Sequence, residues 1–204
     1  MRLDTALDAT PVIAILRASS AKHLIAVAET LRAAGIRAVE FTLTTPGVYE
    51  ALAGFKADGI ALGAGTVTTR QEARRAVEAG AGYLISPAVC LDVIAEARTL
   101  GVPVLPGAYT PTEVLTAWQA GAGLVKLFPA ATGGVAHLKA IRAPLPAIGL
   151  VPTGGIGLDD AADYLDAGAR AVGIGAPLIG DACETGDLDA LRARADALID
   201  RIRR

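Results

Sequence analysis

One punctuation recurs along the chain: a helical stretch ends at a glycine, and a short apolar run follows a few residues later. Gly35 precedes the run at 38–42, Gly80 the run at 83–86, and Gly101 the run at 102–105. Gly121 precedes 124–128 and Gly168 precedes 171–174. Glycine just past a helix end takes the left-handed conformation at no steric cost. Runs that are apolar on both faces read as buried parallel strands. Successive units lie about twenty to twenty-five residues apart, the length of a minimal strand–helix repeat. Three more runs, at 12–16, 60–64 and 148–151, bring the strands to eight. Helices are expected between them, at 21–34, 70–79 and 111–120 among others, with a last one at 188–203. Thr110-Pro111-Thr112-Glu113 carries a cap residue, a proline at the first helical position and a glutamate at the third.

Eight parallel strands with right-handed crossovers close into a barrel. The alternative is an open doubly wound sheet, which favours Gly-x-Gly-x-x-Gly after its first strand. Here the first run leads into Arg17-Ala18-Ser19-Ser20. The expected fold is α/β: a single (β/α)8 TIM barrel with a short N-terminal helix. No linker or composition shift divides the chain, so residues 1–204 are read as one domain.

Composition narrows the function. Of 204 residues, 52% are hydrophobic and 20% charged, which suits a large buried core. The net charge of −2 gives no electrostatic case for nucleic acid or an anionic membrane. The residues at 200–204 read as a solvated last helical turn. Cys90 and Cys183 form no Cys-x-x-Cys pair, and His23 and His137 sit in helical patterns as packing or surface residues. No metal or cofactor is expected. The start, Met1-Arg2-Leu3-Asp4, begins no signal peptide, and the first apolar run is too short to span a membrane. The expected location is the cytoplasm.

In a barrel of this kind chemistry sits at the C-terminal ends of the strands. The chain has four lysines; Lys22, Lys56 and Lys139 lie in helical patterns, whereas Lys126 lies inside an apolar strand. Alternation puts Leu124, Lys126 and Phe128 on one face and Val125 and Leu127 on the other. Burying an ammonium favours the neutral amine, which can attack a carbonyl and form an imine. A lysine paired with a barrel carboxylate for structural reasons is the other reading. Glu40, in Val39-Glu40-Phe41-Thr42, is a carboxylate inside another apolar strand. It is either a proton-transfer group for imine chemistry or a counter-ion for Lys126 or Arg17. Arg17 suits a substrate carboxylate, or is a surface arginine. Thr42, Thr44, Thr66 and Thr153 stand at strand ends as contacts or as caps. Thr153-Gly154-Gly155-Ile156 opens the helix after the seventh strand, and Gly173-Ile174-Gly175-Ala176 follows the eighth. Glycines there expose N–H groups for an anion, or serve tight turns.

At these residues the chain resembles the 2-keto-3-deoxy-6-phosphogluconate (KDPG) aldolase family, grouped with 4-hydroxy-2-oxoglutarate aldolase. The matching segments are Ile13-Ala14-Ile15-Leu16-Arg17, Val39-Glu40-Phe41-Thr42-Leu43, Gly63-Ala64-Gly65-Thr66-Val67 and Ile85-Ser86-Pro87. Pro106-Gly107, Lys126-Leu127-Phe128-Pro129-Ala130 and Val151-Pro152-Thr153-Gly154-Gly155-Ile156 follow in family order. The resemblance implies a class I aldolase that releases pyruvate from a 2-keto acid. Lys126 would be the Schiff-base lysine and Glu40 the general acid/base. Arg17, Thr66 and Thr153 would contact the keto acid, with Pro87 and Phe128 beside it. Gly154, Gly155 and Gly175 would hold a phosphate, next to Ala176. It further implies a homotrimer.

Two departures stand out. Thr44 occupies a position where some members carry arginine, and Gly175-Ala176 stands where the family commonly has Gly-Ser. Thr153 favours gluconate-type over galactonate-type members by resemblance. The aldehyde partner therefore has alternatives: 4-hydroxy-2-oxoglutarate or an unphosphorylated 2-keto-3-deoxy sugar acid as substrate. Outside the aldolases, the alternatives are a phosphate-binding barrel that forms no imine, or a non-catalytic barrel kept for assembly.

Overall fold

Strands and helices alternate along the computed structural model, which describes residues 1–56 and 58–203. The order is α1 (Leu3–Ala9), β1 (Val12–Leu16), α2 (Leu24–Ala33), β2 (Ala38–Thr42), α3 (Val48–Gly54), β3 (Ala61–Gly65), α4 (Arg70–Glu78) and β4 (Tyr83–Ile85). Next come α5 (Leu91–Leu100), β5 (Val104–Leu105), β6 (Gly107–Ala108), α6 (Pro111–Gln119), β7 (Leu124–Leu127) and α7 (Ala130–Arg142). The chain then runs through β8 (Gly149–Pro152), α8 (Ala161–Asp166), β9 (Val172–Ile174), α9 (Ala176–Ile179), α10 (Ala182–Thr185) and α11 (Leu188–Ile202). The five glycines that punctuate the sequence all take positive φ, from 70° at Gly101 to 111° at Gly80. Thr69 and Thr110 each close a capping box, with Glu72 and Glu113. Among the described residues no helix is long and apolar enough to cross a membrane.

All strand pairs are parallel, in the orders β5-β4-β3-β2-β1-β9 and β6-β7-β8. After the fifth apolar run comes Pro106, whose nitrogen has no proton for the ladder, and pairing resumes at β6. Its carbonyl still accepts from Lys126 N–H at 2.9 Å. At the other end of the smaller sheet, Thr153 bridges to Gly173 of β9.

The period of two sorts side chains into two layers. Val12, Ala14 and Leu16, Val39 and Phe41, and Val125 and Leu127 face the helices in one large core. Ile13, Ala38, Ala61, Tyr83, Leu105 and Val151 face the opposite way and form a second core with Leu3, Ala6 and Leu7 of α1. The N-terminal helix thus plugs one end of the sheet's concave face. Glu40 and Lys126 share the inward parity of Ala38 and Leu124, nearer the C-terminal ends of their strands.

Three expectations change in detail. The helix expected at 21–34 begins at Leu24, because the preceding loop is held elsewhere. Thr153–Ile156 does not open a helix: Gly154 and Gly155 have φ of 93° and 75°, outside the helical region, and α8 begins at Ala161. The C-terminal helix ends at Ile202, and Arg204 lies outside the described residues. His137 donates from Nε2 to the Tyr109 carbonyl at 2.8 Å and stacks on its ring, a packing role.

Leu7 is 1% exposed within the plug. Leu7→Ala should lower unfolding free energy by about 2–5 kcal/mol, measured by urea denaturation, since the cavity left is walled by strands that cannot collapse into it.

Candidate active site

The C-terminal ends of the strands surround a cavity of about 510 Å³. Lys126 and Glu40 lie in its wall, with Arg17, Thr66 and Pro87. Phe128, Thr153, Gly154 and Gly155 continue it, and Gly175 and Ala176 complete the set. Unlike the candidates Thr42 and Thr44, these eleven residues, singled out in the sequence, therefore border one space. They come from distant parts of the chain, and strand alternation together with the βα loops brings them there.

Glu40 is 1% exposed and Lys126 8%. Among the described residues, Glu40 Oε2 is buried with no hydrogen-bond partner. Burial pushes the Glu40 carboxyl above its ordinary range; the Lys126 and Arg17 charges pull the other way and do not win. Lys126 lines the same cavity, and its charge acts on the Glu40 carboxyl. Lys126 Nζ lies 4.9 Å from the centroid of the Phe128 ring, a cation–π contact that restrains a flexible chain.

Arg17 follows β1 and is exposed, its guanidinium 3.5 Å from Thr66 Oγ1. Thr66 has φ of 62° and is the one non-glycine residue among those described with positive φ. A β-branched residue held there costs on the order of 1–3 kcal/mol, and such strain gathers at sites that need one side chain aimed one way. Thr153 is buried, and its hydroxyl donates to the Val151 carbonyl at 3.2 Å. Thr42 is fully buried beside Thr45, their hydroxyls 3.3 Å apart, and Thr44, which is exposed, reaches Thr42 with Oγ1 at 3.4 Å; neither Thr42 nor Thr44 lines the cavity.

The sequence reading missed what makes room for Glu40. Glu40 pairs with Gly63 in the ladder, and a Cβ at Gly65 would overlap Glu40 Oε1. A Cβ at Gly63 would collide with the ring of Tyr83. Tyr83 is fully buried and donates its hydroxyl to the Val39 carbonyl at 2.8 Å. Burial, with Glu40 adding to it, raises the Tyr83 hydroxyl well above its ordinary value, so it stays a neutral donor. The signal was present in the sequence: two glycines at alternating positions of one buried strand mark a close approach. Ile15, Ile156, Pro177 and Ile179 also border the cavity and add apolar wall.

A sequence model described as KDPG and KHG aldolase matches residues 3–193. The chain belongs to the KDPG and KHG aldolase family. It is similar to the 2-dehydro-3-deoxy-phosphogluconate aldolase of Treponema pallidum, with 37% identity over 78% of this chain and 78% of that one. It is similar to a probable 2-dehydro-3-deoxy-6-phosphogalactonate aldolase of Rhizobium meliloti, with 36% identity over 93% of this chain and 90% of that one. A crystal structure of KDPG aldolase from Legionella pneumophila, holding pyruvate as a covalent carbinolamine intermediate, superposes with a TM-score of 0.86. That pair is 28% identical and covers 97% of this chain and 98% of the other.

In this aldolase-family chain the raised Glu40 makes a stability prediction. Its native carboxyl holds its proton to higher pH than the unfolded chain does, so stability is full below the unfolded value and falls as pH rises through the native one. Glu40→Gln keeps the shape without the charge. The variant should be more stable than the parent at pH 8, with the gap closing towards pH 4, as followed by denaturant midpoints at both pH values.

Proposed function

We propose that this chain is a class I aldolase that cleaves 2-dehydro-3-deoxy-6-phosphogluconate to pyruvate and glyceraldehyde 3-phosphate. The observation that carries this reading is the placement of a buried amine and a buried carboxyl in one cavity whose mouth bears a guanidinium. Lys126 attacks the C2 carbonyl of the 2-keto acid, and loss of water from the carbinolamine gives an iminium. Glu40 moves protons onto and off the carbinolamine. It then takes the proton from the C4 hydroxyl as the C3–C4 bond breaks and its electrons flow into the iminium nitrogen. The aldehyde leaves; the enamine is protonated at C3 and hydrolysed to pyruvate, freeing Lys126. A carboxyl held above its ordinary range suits a group that must both give and take a proton near neutrality. Arg17 and Thr66 meet the substrate carboxylate, Thr153 the keto-acid part, and Pro87 and Phe128 its apolar side. Gly154, Gly155 and Gly175 offer backbone N–H groups to the phosphate.

We also infer that the two sheets are parts of one closed (β/α)8 barrel forming a single domain. The Thr153–Gly173 bridge and the Lys126–Pro106 hydrogen bond at the two seams support this. A homotrimer in the cytoplasm is proposed from family membership.

A second reading of the aldehyde partner is favoured by Ala176. It lines the cavity and brings no hydroxyl, so a phosphate there lacks a bond to a charged group worth about 1.5–3 kcal/mol. On that reading an unphosphorylated sugar acid or 4-hydroxy-2-oxoglutarate is turned over at comparable kcat/KM, which side-by-side assays decide.

Borohydride reduction in the presence of pyruvate should add one reduced pyruvate, mapped to Lys126 by peptide mass and missing from Lys126→Ala. Glu40→Gln should lower kcat by about 10²–10⁴-fold. A folded protein that gains no adduct would remove the aldolase reading.

A further inference from the structure

Arg17 stands past the end of β1, and its guanidinium contact to Thr66 is long, at 3.5 Å. Where the guanidinium sits therefore depends on the backbone that follows it. Two sides hold that backbone. Ala18 N–H donates to Thr45 Oγ1 at 3.2 Å, and Ala21 N–H to the Pro46 carbonyl at 2.9 Å, both acceptors lying in the loop after β2. From the other side comes Glu184 of α10. Its Oε1 accepts Ser19 N–H at 2.7 Å and its Oε2 accepts the Ser19 hydroxyl at 2.5 Å. A carboxylate that takes two bonds from one residue fixes both its position and its orientation, and charge assistance makes such bonds strong. The same two bonds hold the Glu184 carboxyl below its ordinary value, so it is ionised at neutral pH.

The place of this clamp in the fold gives it a consequence. Glu184 lies shortly after α9 and Gly180, and Ala176, Pro177, Ile179 and Gly180 all border the cavity. At the floor, β1 and β9 are already joined, with Ile13 opposite Gly173 and Ala14 opposite Ile174. Glu184 repeats that join at the rim, through side-chain bonds. It sets the Arg17 loop against the segment after β9 two residues beyond the guanidinium itself.

We infer that Glu184 is a positioning residue: through Ser19 it fixes Arg17 at the cavity mouth, where the guanidinium meets the carboxylate of a 2-keto acid. This rests on the aldolase reading above. A plain surface tie would steady the fold and leave recognition alone. A positioning residue acts only while Arg17 is there to be positioned.

The experiment is borohydride trapping of pyruvate on Lys126, read as the half-saturating pyruvate concentration and the maximal yield of adduct. The parent is compared with Arg17→Ala, Glu184→Ala, Glu184→Gln and the Arg17→Ala/Glu184→Ala pair. Glu184→Ala should raise half-saturation about tenfold with maximal yield and Tm little changed, since its side chain is exposed. In the Arg17→Ala background the same substitution should add nothing. Glu184→Gln should recover part of the loss, because its amide oxygen still accepts from Ser19 N–H. Equal losses in both backgrounds would overturn the inference and leave Glu184 a structural tie. A parent that traps no pyruvate would overturn the aldolase reading, and this inference with it.

Discussion

Glu40 can be buried only because neighbouring positions are empty. Its carboxyl occupies space that a Cβ at Gly65 would take, and its ladder partner, Gly63, has no side chain. Removal from water raises the carboxyl, and the charges of Lys126 and Arg17 limit how far. Those three side chains come from three different strand ends, so their meeting in one cavity depends on the strand register. A slip of one residue in β2 would turn Glu40 towards the helices and bring Phe41 inward.

The same register separates stability from chemistry along each strand. Towards the N-terminal ends the inward positions are filled by Ile13, Ala38, Ala61 and Tyr83, sealed by Leu3, Ala6 and Leu7 of α1. Towards the C-terminal ends the inward positions carry Glu40, Lys126 and Thr153 with glycines between them. The packed half makes the frame rigid, which lets the other half carry buried polar groups and the left-handed Thr66 without collapsing around them.

Much of this was legible in the sequence. Glycine punctuation marked the helix ends because left-handed backbone leaves few other choices, and Lys126 and Glu40 were conspicuous as charges inside apolar runs. Alternation put Lys126 and Phe128 on one face of the strand, and that face borders the cavity. What the sequence concealed depended on distance in space. Thr153–Ile156 looks like the opening of a helix, but two consecutive glycines with positive φ turn the chain first. Past the run at 102–105 the chain pairs again at Gly107–Ala108, beyond Pro106, where no apolar run announces a strand. Glu184 is a charged residue in a short helix near the C-terminus, and nothing in its neighbourhood along the chain points to Ser19, 165 positions earlier.

Gly63 and Tyr83 sit opposite each other in adjacent strands, and the ring fills what a side chain at 63 would need. Its hydroxyl reaches past β3 to the β2 carbonyl at Val39. The two positions thus share one allotment of volume, and a single aromatic ring spends all of it. Enlarging residue 63 requires shrinking residue 83, and shrinking residue 83 leaves the Val39 carbonyl without its phenol. Any sequence that keeps this backbone has to choose the two residues together, as one unit written at two places in the chain.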